Sequence, residues 1–538
     1  MINKALKKIF FKDKKANFIK SFINGAWENG GSGVVVDVKD PATGELVYKV
    51  KDVSAFQIKK AFKAAHSAQE KWQFEVSIPE KEDIFRQTAK FLEDSRGDLA
   101  WVQIREGGRL WKFADAEVQG ALNSIWHYHG ELSRAHGDFS RTQMKDKFAF
   151  GIREPYGVIL GITPWNSTLV LPSRKVFASL AGGNAIILKD PTETPLAASL
   201  LCLAFQKAML QVLGKDRYRE VSGIFQVLHG KGSTVGKALV EKGDYDKVTF
   251  TGSRSVGSYI AEVAGKRIKP VSLELGGHGA MIVMDDFDID RAVSEAIAAN
   301  CGDAGQRCVA LRAVFVHKKK YDEFLNKYIK AISALKIGDP SSIKSDIPPL
   351  INRAALEAVM KDLEMAKKDG AKVAYGGKSL NESSCFFMPT VLTKVDLKNL
   401  AMTKEIFAPI LSVIPFGSVN REKAIMAAVK MMNASNYGLS NAILTNDISL
   451  AMKAMAKVRT GVLYIGRGTT GAEEGKLFGG VKDSGFGKEA GGLEDFTYVK
   501  QVYIDYHGKA RLANVHQAKI VRKRLANADR KTRRSRRK

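Results

Sequence analysis

The chain has 538 residues, of which 45% are hydrophobic and 26% charged, and a formal net charge of +27. That length exceeds what one core usually serves, so two or three domains are expected, and the ordinary composition excludes a wholly disordered chain. Four cysteines (Cys202, Cys301, Cys308, Cys385) with no C-x-x-C pair exclude a disulfide-stapled scaffold and a structural zinc site, and point to a reducing, cytoplasmic compartment.

The positive charge sits at the two ends. Residues 1–20 carry seven Lys against Asp13, and residues 507–538 carry thirteen Lys or Arg against Asp529, so only +9 remains for the 486 residues between them. The opening segment lacks the apolar stretch and cleavage site of a secretory signal and reads as a basic arm. Helical patterns follow from Ser54 to Trp72 and from Pro79 to about Glu106.

From Gly157 to Asn300, short β-branched runs alternate with helical stretches, the rhythm of a doubly wound parallel sheet. The candidate strands are 157–162, 185–189, 224–228, 247–250 and 280–284. Thr194 and Pro195 offer an N-cap and first-turn proline for a helix running to about Leu213. That apolar stretch is interrupted by Gln206 and Lys207, so no transmembrane segment is expected. The closing segment, ending KTRRSRRK, cannot bury itself and reads as a basic disordered tail able to contact nucleic acid or anionic lipid.

Three features carry chemistry. Phe250-Thr251-Gly252-Ser253-Arg254-Ser255-Val256-Gly257 follows a strand and opens a helix, where exposed N–H groups and the macrodipole favour an anion. Glycine and serine also serve such turns for conformational reasons alone. Glu274, in Leu273-Glu274-Leu275-Gly276-Gly277, has apolar neighbours that would raise its pKa toward that of a base working near neutrality. Cys308, in Gly305-Gln306-Arg307-Cys308, stands beside a guanidinium that could hold it as the nucleophilic thiolate. His127 and His129 have no third ligand nearby, so no metal site is read.

Glu274 and Cys308 together, thirty-four residues apart, resemble the aldehyde dehydrogenase superfamily. Further segments match in order: Thr163-Pro164-Trp165-Asn166, residues 180–189, Glu405-Ile406-Phe407-Ala408-Pro409, Tyr437-Gly438-Leu439 and residues 478–489. The likeness runs from about Phe22 to Tyr506 and leaves only the basic ends outside.

The resemblance implies oxidation of a small-molecule aldehyde to a carboxylic acid with NAD or NADP. In that reading Cys308 forms a thiohemiacetal and then a thioester, and Asn166 with the Cys308 N–H steadies the oxyanion. Glu274 activates the hydrolytic water. Cofactor contacts are implied for Thr163, Pro164, Trp165, Lys189, Thr192, Gly252, Ser253, Gly257, Leu275, Glu405 and Phe407. Thr192 stands where many NAD-preferring members carry Glu, which admits NADP, yet Asp190 and Glu193 could restore the repulsion; NAD is slightly favoured. Ala408 replaces the family's usual glycine.

For the substrate, Arg174 aligns with the aldehyde tunnel and could clamp a distal carboxylate, suiting a semialdehyde, although relatives acting on aromatic aldehydes also resemble this stretch. Leu171 would add apolar wall, and Thr470 lies in a segment that resembles a carboxylate-binding loop.

The architecture implied is α/β. A doubly wound NAD(P)-binding domain would comprise residues 21–131 and 154–273, and an α/β catalytic domain residues 274–475. A small β oligomerisation element (132–150 and 487–506) would make a homodimer or homotetramer. Two alternatives stay open: a CoA-acylating aldehyde dehydrogenase, against which Glu274 speaks, and a catalytically minor protein of the same fold tethered through its basic ends.

Overall fold

The runs rich in Val, Ile and Leu become strands buried on both faces, as covered parallel sheets require. The computed structural model describes residues 18–134, 137–142, 146–380, 384–506 and 513–535. The basic arm falls almost wholly outside them. The described residues form two units, one from 18–134 with Pro155–Tyr498 and a smaller one from 137–154 with 499–535.

Beside a small three-stranded sheet (Phe18–Ile19, Leu46–Lys51, Val35–Lys39), the larger unit holds two large sheets, each with its own apolar core. In the first, five parallel strands are taken in chain order as Val158–Ile162, Ala185–Lys189, Phe225–Leu228, Lys247–Thr251 and Val271–Glu274. They lie side by side in the order 3-2-1-4-5, with Val158 opposite Ala185, Ile186 opposite Phe225, Ile159 opposite Lys247 and Val248 opposite Val271. Antiparallel strands close both edges, Phe22 opposite Val227 and Phe486 opposite Leu273. The order reverses between Val158–Ile162 and Lys247–Thr251, and a crevice opens there at the carboxyl ends of the strands, where ligands bind in open α/β sheets.

The run around 280–284 becomes Gly279–Val283, but it belongs to the second sheet. The fifth strand of the first sheet is Val271–Glu274, a segment too short and mixed to stand out in sequence. The second sheet runs Lys372–Tyr375, Thr390–Thr393, Ile410–Phe416, Leu311–His317, Gly279–Val283, Ser440–Leu444 and Val462–Ile465, parallel except at its first strand. Glu274 therefore ends the last parallel strand of one sheet, and only four residues separate it from the strand Gly279–Val283 of the other.

The helical patterns appear as Ala55–Phe74, Ile78–Asp94 and Arg96–Gly107, the latter two separated at Ser95. The helix Leu196–Val221 breaks at Gly214 (φ 73°), close to the expected end. Thr194 does not cap it; the Leu196 N–H donates instead to Glu106 Oε1 at 3.0 Å. By length and composition alone this helix could cross a membrane, but most of its most apolar stretch is buried in the first core.

In the smaller unit Phe139–Ser140 pairs antiparallel with Lys147–Pro155, beside Thr497–Asp505. Where a disordered tail is expected, Ala513–Ser535 is helical. Alanine, lysine, arginine and leucine favour helix whether or not a face is buried, and the side chains described there are exposed.

Candidate active site

Cys308 sits half-buried in the loop that links the helix Ile289–Cys301 to the strand Leu311–His317. Three successive residues of that loop, Asp303 (φ 51°), Ala304 (φ 52°) and Gly305 (φ 68°), are left-handed. For the two that are not glycine this costs about 1–2 kcal/mol each, so something must hold them. Arg109 does: its Nη2 donates to Asp303 Oδ2 at 2.5 Å, and its Nη1 donates to the Asn166 carbonyl at 2.8 Å. Arg312 ties the same loop from below, donating to the carbonyls of Gly305 (2.6 Å) and Ala408 (2.7 Å). Burial lowers the Arg312 pKa to about 10.

Arg307 does not serve the thiol as its sequence position suggested. Its guanidinium donates to the Ala298 carbonyl at 2.8 Å and lies over Phe113. Burial, and then the charges of Glu405, Glu489 and Glu274, push the Cys308 thiol well above its ordinary range. These surroundings favour the thiol over the stored thiolate expected. Cys301, seven residues earlier, is buried at the helix end near Tyr328.

Asn166 follows the first parallel strand, and its Nδ2 donates to the Gln306 carbonyl at 3.0 Å, two residues before the thiol. Glu274 is 4% exposed; Oε1 accepts from the Gly480 N–H at 3.3 Å, while Oε2 is buried without a partner. Burial, reinforced by the charge of Glu489, raises its pKa well above the carboxylate range. Glu489 is itself fully buried, 2.7 Å from Lys175 Nζ and accepting from the Thr251 hydroxyl. These groups make a chain of buried proton-binding sites behind Glu274.

The helix Val170–Ala181 that carries Leu171, Arg174 and Lys175 is capped by Glu117, which accepts from the Val170 N–H at 3.1 Å and from Ser167 Oγ at 2.7 Å. Glu117 also pairs with Arg109 at 3.2 Å. Leu171 lines the thiol cavity. Arg174 is not free: its Nε donates to Glu474 Oε1 at 2.9 Å and its Nη2 reaches the same oxygen. The open clamp for a distal carboxylate is thus filled from within. Thr470 is half-buried in the loop before Glu474.

A cavity of about 250 Å³ around Cys308 is lined by Asn166, Leu171, Leu275, Gly276, Glu405 and Phe407, together with Pro164, Trp165, Thr251, Gly252 and Ser253. Those last five also line a cleft of about 680 Å³ at the point where the strand order reverses, along with Thr163, Lys189, Thr192, Glu193, Gly232, Ser233, Gly236 and Lys237. Features of the cleft fit a dinucleotide. The Thr163 hydroxyl is buried without a partner, Ser253 caps the helix Arg254–Lys266, and a side chain at Gly232 would meet nothing within 4 Å.

Other expected cofactor residues divide. Gly257 packs under Leu275, where a Cβ would come within 2.5 Å of Leu275 Cδ2, so its missing side chain serves helix packing and not phosphate approach. Glu405 lines the thiol cavity with Oε1 held by the Gly277 N–H at 3.0 Å, and burial pushes its pKa up to about 7. Phe407 stands edge-on to Trp165. Asp190 faces inward, 2.8 Å from His229 Nδ1, leaving Glu193 as the nearby carboxylate that lines the cleft; the Thr192 hydroxyl donates to the Gly230 carbonyl at 3.1 Å.

Arg109, Lys175, Arg312 and Glu474 were not singled out from sequence. For Lys175 and Arg312 the local signal is a charge among apolar neighbours, as in Leu311-Arg312-Ala313-Val314, whereas Arg109 and Glu474 lie in glycine-containing polar stretches that carry no such signal.

The profile of the aldehyde dehydrogenase family matches residues 27–502. The chain is 32% identical to lactaldehyde dehydrogenase of Escherichia coli, covering 90% of this chain and 98% of that one. It is likewise 32% identical to succinate-semialdehyde dehydrogenase [NADP(+)] 2 of Schizosaccharomyces pombe, over 90% and 96%. The crystal structure of the Escherichia coli lactaldehyde dehydrogenase superposes with a TM-score of 0.85 at 30% identity, covering 91% and 99%. With the fold, the thiol cavity and the adjoining cleft, these matches establish that the chain belongs to the aldehyde dehydrogenase family, oxidoreductases that act on aldehydes with NAD or NADP.

Proposed function

We propose that Cys308 is the nucleophile of a non-acylating aldehyde dehydrogenase. The observation that carries the reading is the five-residue wall shared by the thiol cavity and the nucleotide cleft. Bound in that cleft, the nicotinamide supplies a hydride acceptor. The Cys308 sulfur adds to the aldehyde carbon while its proton passes to Glu274, whose raised pKa suits the task. The oxygen that becomes negative is steadied by the Cys308 N–H and by the second N–H of the Asn166 amide. Loss of hydride from the adduct leaves an acyl thioester on Cys308. Once the thiol's proton has passed on to Glu489, Glu274 takes a proton from water, which attacks the acyl carbon; the C–S bond breaks, the carboxylic acid leaves and the sulfur takes a proton back from Glu274 to restore the thiol. The Lys175–Glu489 pair lies behind Glu274 as a place for that proton.

Thr192 admits NADP and Glu193 keeps NAD slightly ahead. The exposed apolar side chains of the small sheet, Phe139, Phe148, Val499 and Tyr503, support assembly into a homodimer or homotetramer. Nicotinamide reduction with a panel of aldehydes, with and without CoA, tests the central reading. Turnover without CoA is expected; reduction only when CoA is added, or none with any aldehyde, overturns it.

A second property rests on the C-terminal helix, whose eight Lys or Arg face a single acid, Asp529, and which contains no aromatic residue to enter a bilayer. We propose that it contacts nucleic acid phosphates. Binding of a single-stranded RNA oligomer that weakens with salt and disappears on deleting residues 507–538 is expected. Binding only to anionic vesicles, or to neither, overturns it.

A further inference from the structure

The expected role of Arg174, an open clamp for a substrate carboxylate, disagrees with its observed state. Leu171, one helical turn before it, lines the thiol cavity. Its guanidinium lies over the ring of Phe478, and Phe478 belongs to a small apolar cluster against which Cys308 packs. Arg174 therefore lies one helical turn from the cavity wall, against the cluster that packs on the thiol, and it is only 7% exposed. Both oxygens of its partner are engaged, Glu474 Oε1 by Arg174 and Oε2 by the Ser124 hydroxyl at 2.9 Å.

We infer that Glu474 is a specificity-determining residue that occupies the anion site of Arg174, so that this enzyme selects uncharged aldehydes and rejects those bearing a distal carboxylate. The inference rests on the proposed aldehyde oxidation and names its substrate class. A guanidinium fork binds one carboxylate well. A substrate carboxylate would have to displace Glu474 and leave that charge desolvated beside it, with only Ser124 as partner. Breaking a buried pair in this way is far more costly than forming an equivalent one is favourable. An uncharged alkyl or hydroxyalkyl chain meets no such opposition, because the Arg174–Glu474 pair presents no net charge to it. The other arginine of this region, Arg467, is exposed over Tyr464 and has no part in the pair.

The test compares kcat/KM for succinic semialdehyde with that for butanal, which differs from it by the absence of the distal carboxylate. The wild-type enzyme is expected to favour butanal by at least tenfold. In Glu474→Gln and Glu474→Ala the carboxylate-to-neutral ratio should rise at least tenfold, and in Glu474→Ala/Arg174→Leu the gain should vanish. A wild-type preference for succinic semialdehyde, whether or not it depends on Arg467, would overturn the inference, as would an unchanged ratio in both single variants.

A second readout needs no turnover. Butyrate should slow alkylation of Cys308 by iodoacetamide in Glu474→Ala and not in the wild type. If no aldehyde reduces the nucleotide yet butyrate protects only the variant, the aldehyde-oxidising reading fails while the anion-site assignment stands. Equal protection, or none in either protein, counts against the assignment itself.

Discussion

Arg109 and Asp303 form a buried ion pair at 2.5 Å across 194 residues of sequence, and the same guanidinium holds the Asn166 carbonyl. One side chain thus joins the loop that carries Cys308 to the segment that carries Asn166, the nucleophile and the oxyanion donor of the proposed mechanism. One segment follows a strand of the first sheet and the other leads into a strand of the second, so their relative position depends on this tie.

Replacing Arg109 by Ala should leave Asp303 charged and buried, a loss of about 3–5 kcal/mol for a pair of this kind. The expected outcome is a markedly lower melting temperature together with a fall in kcat of at least tenfold, because Asn166 and Cys308 lose their common anchor. Arg109→Lys should recover stability better than rate, since an ammonium cannot hold both partners in the same fork. Full activity in Arg109→Ala would contradict this role.

Asn166→Ala should lower kcat by about 10²–10³ with a small change in KM, the signature of a donor used mainly in the transition state. A loss confined to KM would assign Asn166 to ground-state binding instead.

The thiol's pH dependence follows from its neighbours. Burial and the charges of Glu405, Glu489 and Glu274 raise the Cys308 pKa, so alkylation of the free enzyme by iodoacetamide should keep climbing with pH above neutrality. Glu405, pushed up to about 7, is charged only above that pH. Glu405→Gln removes a negative charge that disfavours the thiolate, and the alkylation profile should move toward lower pH. No shift, or a shift to higher pH, would contradict the assignment.

On the proposed reading, cofactor choice turns on two neighbouring positions. Thr192→Glu adds a negative charge to the nucleotide cleft and should lower kcat/KM for NADP at least tenfold more than for NAD; Glu193→Gln should move the ratio toward NADP. Equal effects on both cofactors would place the 2′-substituent elsewhere.

Much of this was legible in the sequence because the signals were local. The strands from Val158 to Thr251 announced themselves by short runs rich in apolar and β-branched residues, and Cys308, Glu274 and Asn166 by short motifs whose order resembled one family. Sheet membership was legible only through the resemblance, which starts the catalytic domain at 274; by pattern alone Gly279–Val283 reads like the strands before it, and only the four-residue bridge after Glu274 carries the chain into a second sheet. The thiol's environment was not legible, since the arginine next to it in sequence points to Ala298 while burial and three distant carboxylates dominate its charge state. The Arg174–Glu474 pair spans 300 residues, and no spacing rule foretells it.

The most direct test is to mix enzyme, cofactor and isotopically labelled aldehyde, quench within one turnover and map the modified peptide. The account predicts an acyl group on Cys308, accumulating when Glu274 is replaced by Gln because water is no longer activated, and no turnover in Cys308→Ala. Label on any other residue, or wild-type turnover in Cys308→Ala, would contradict it.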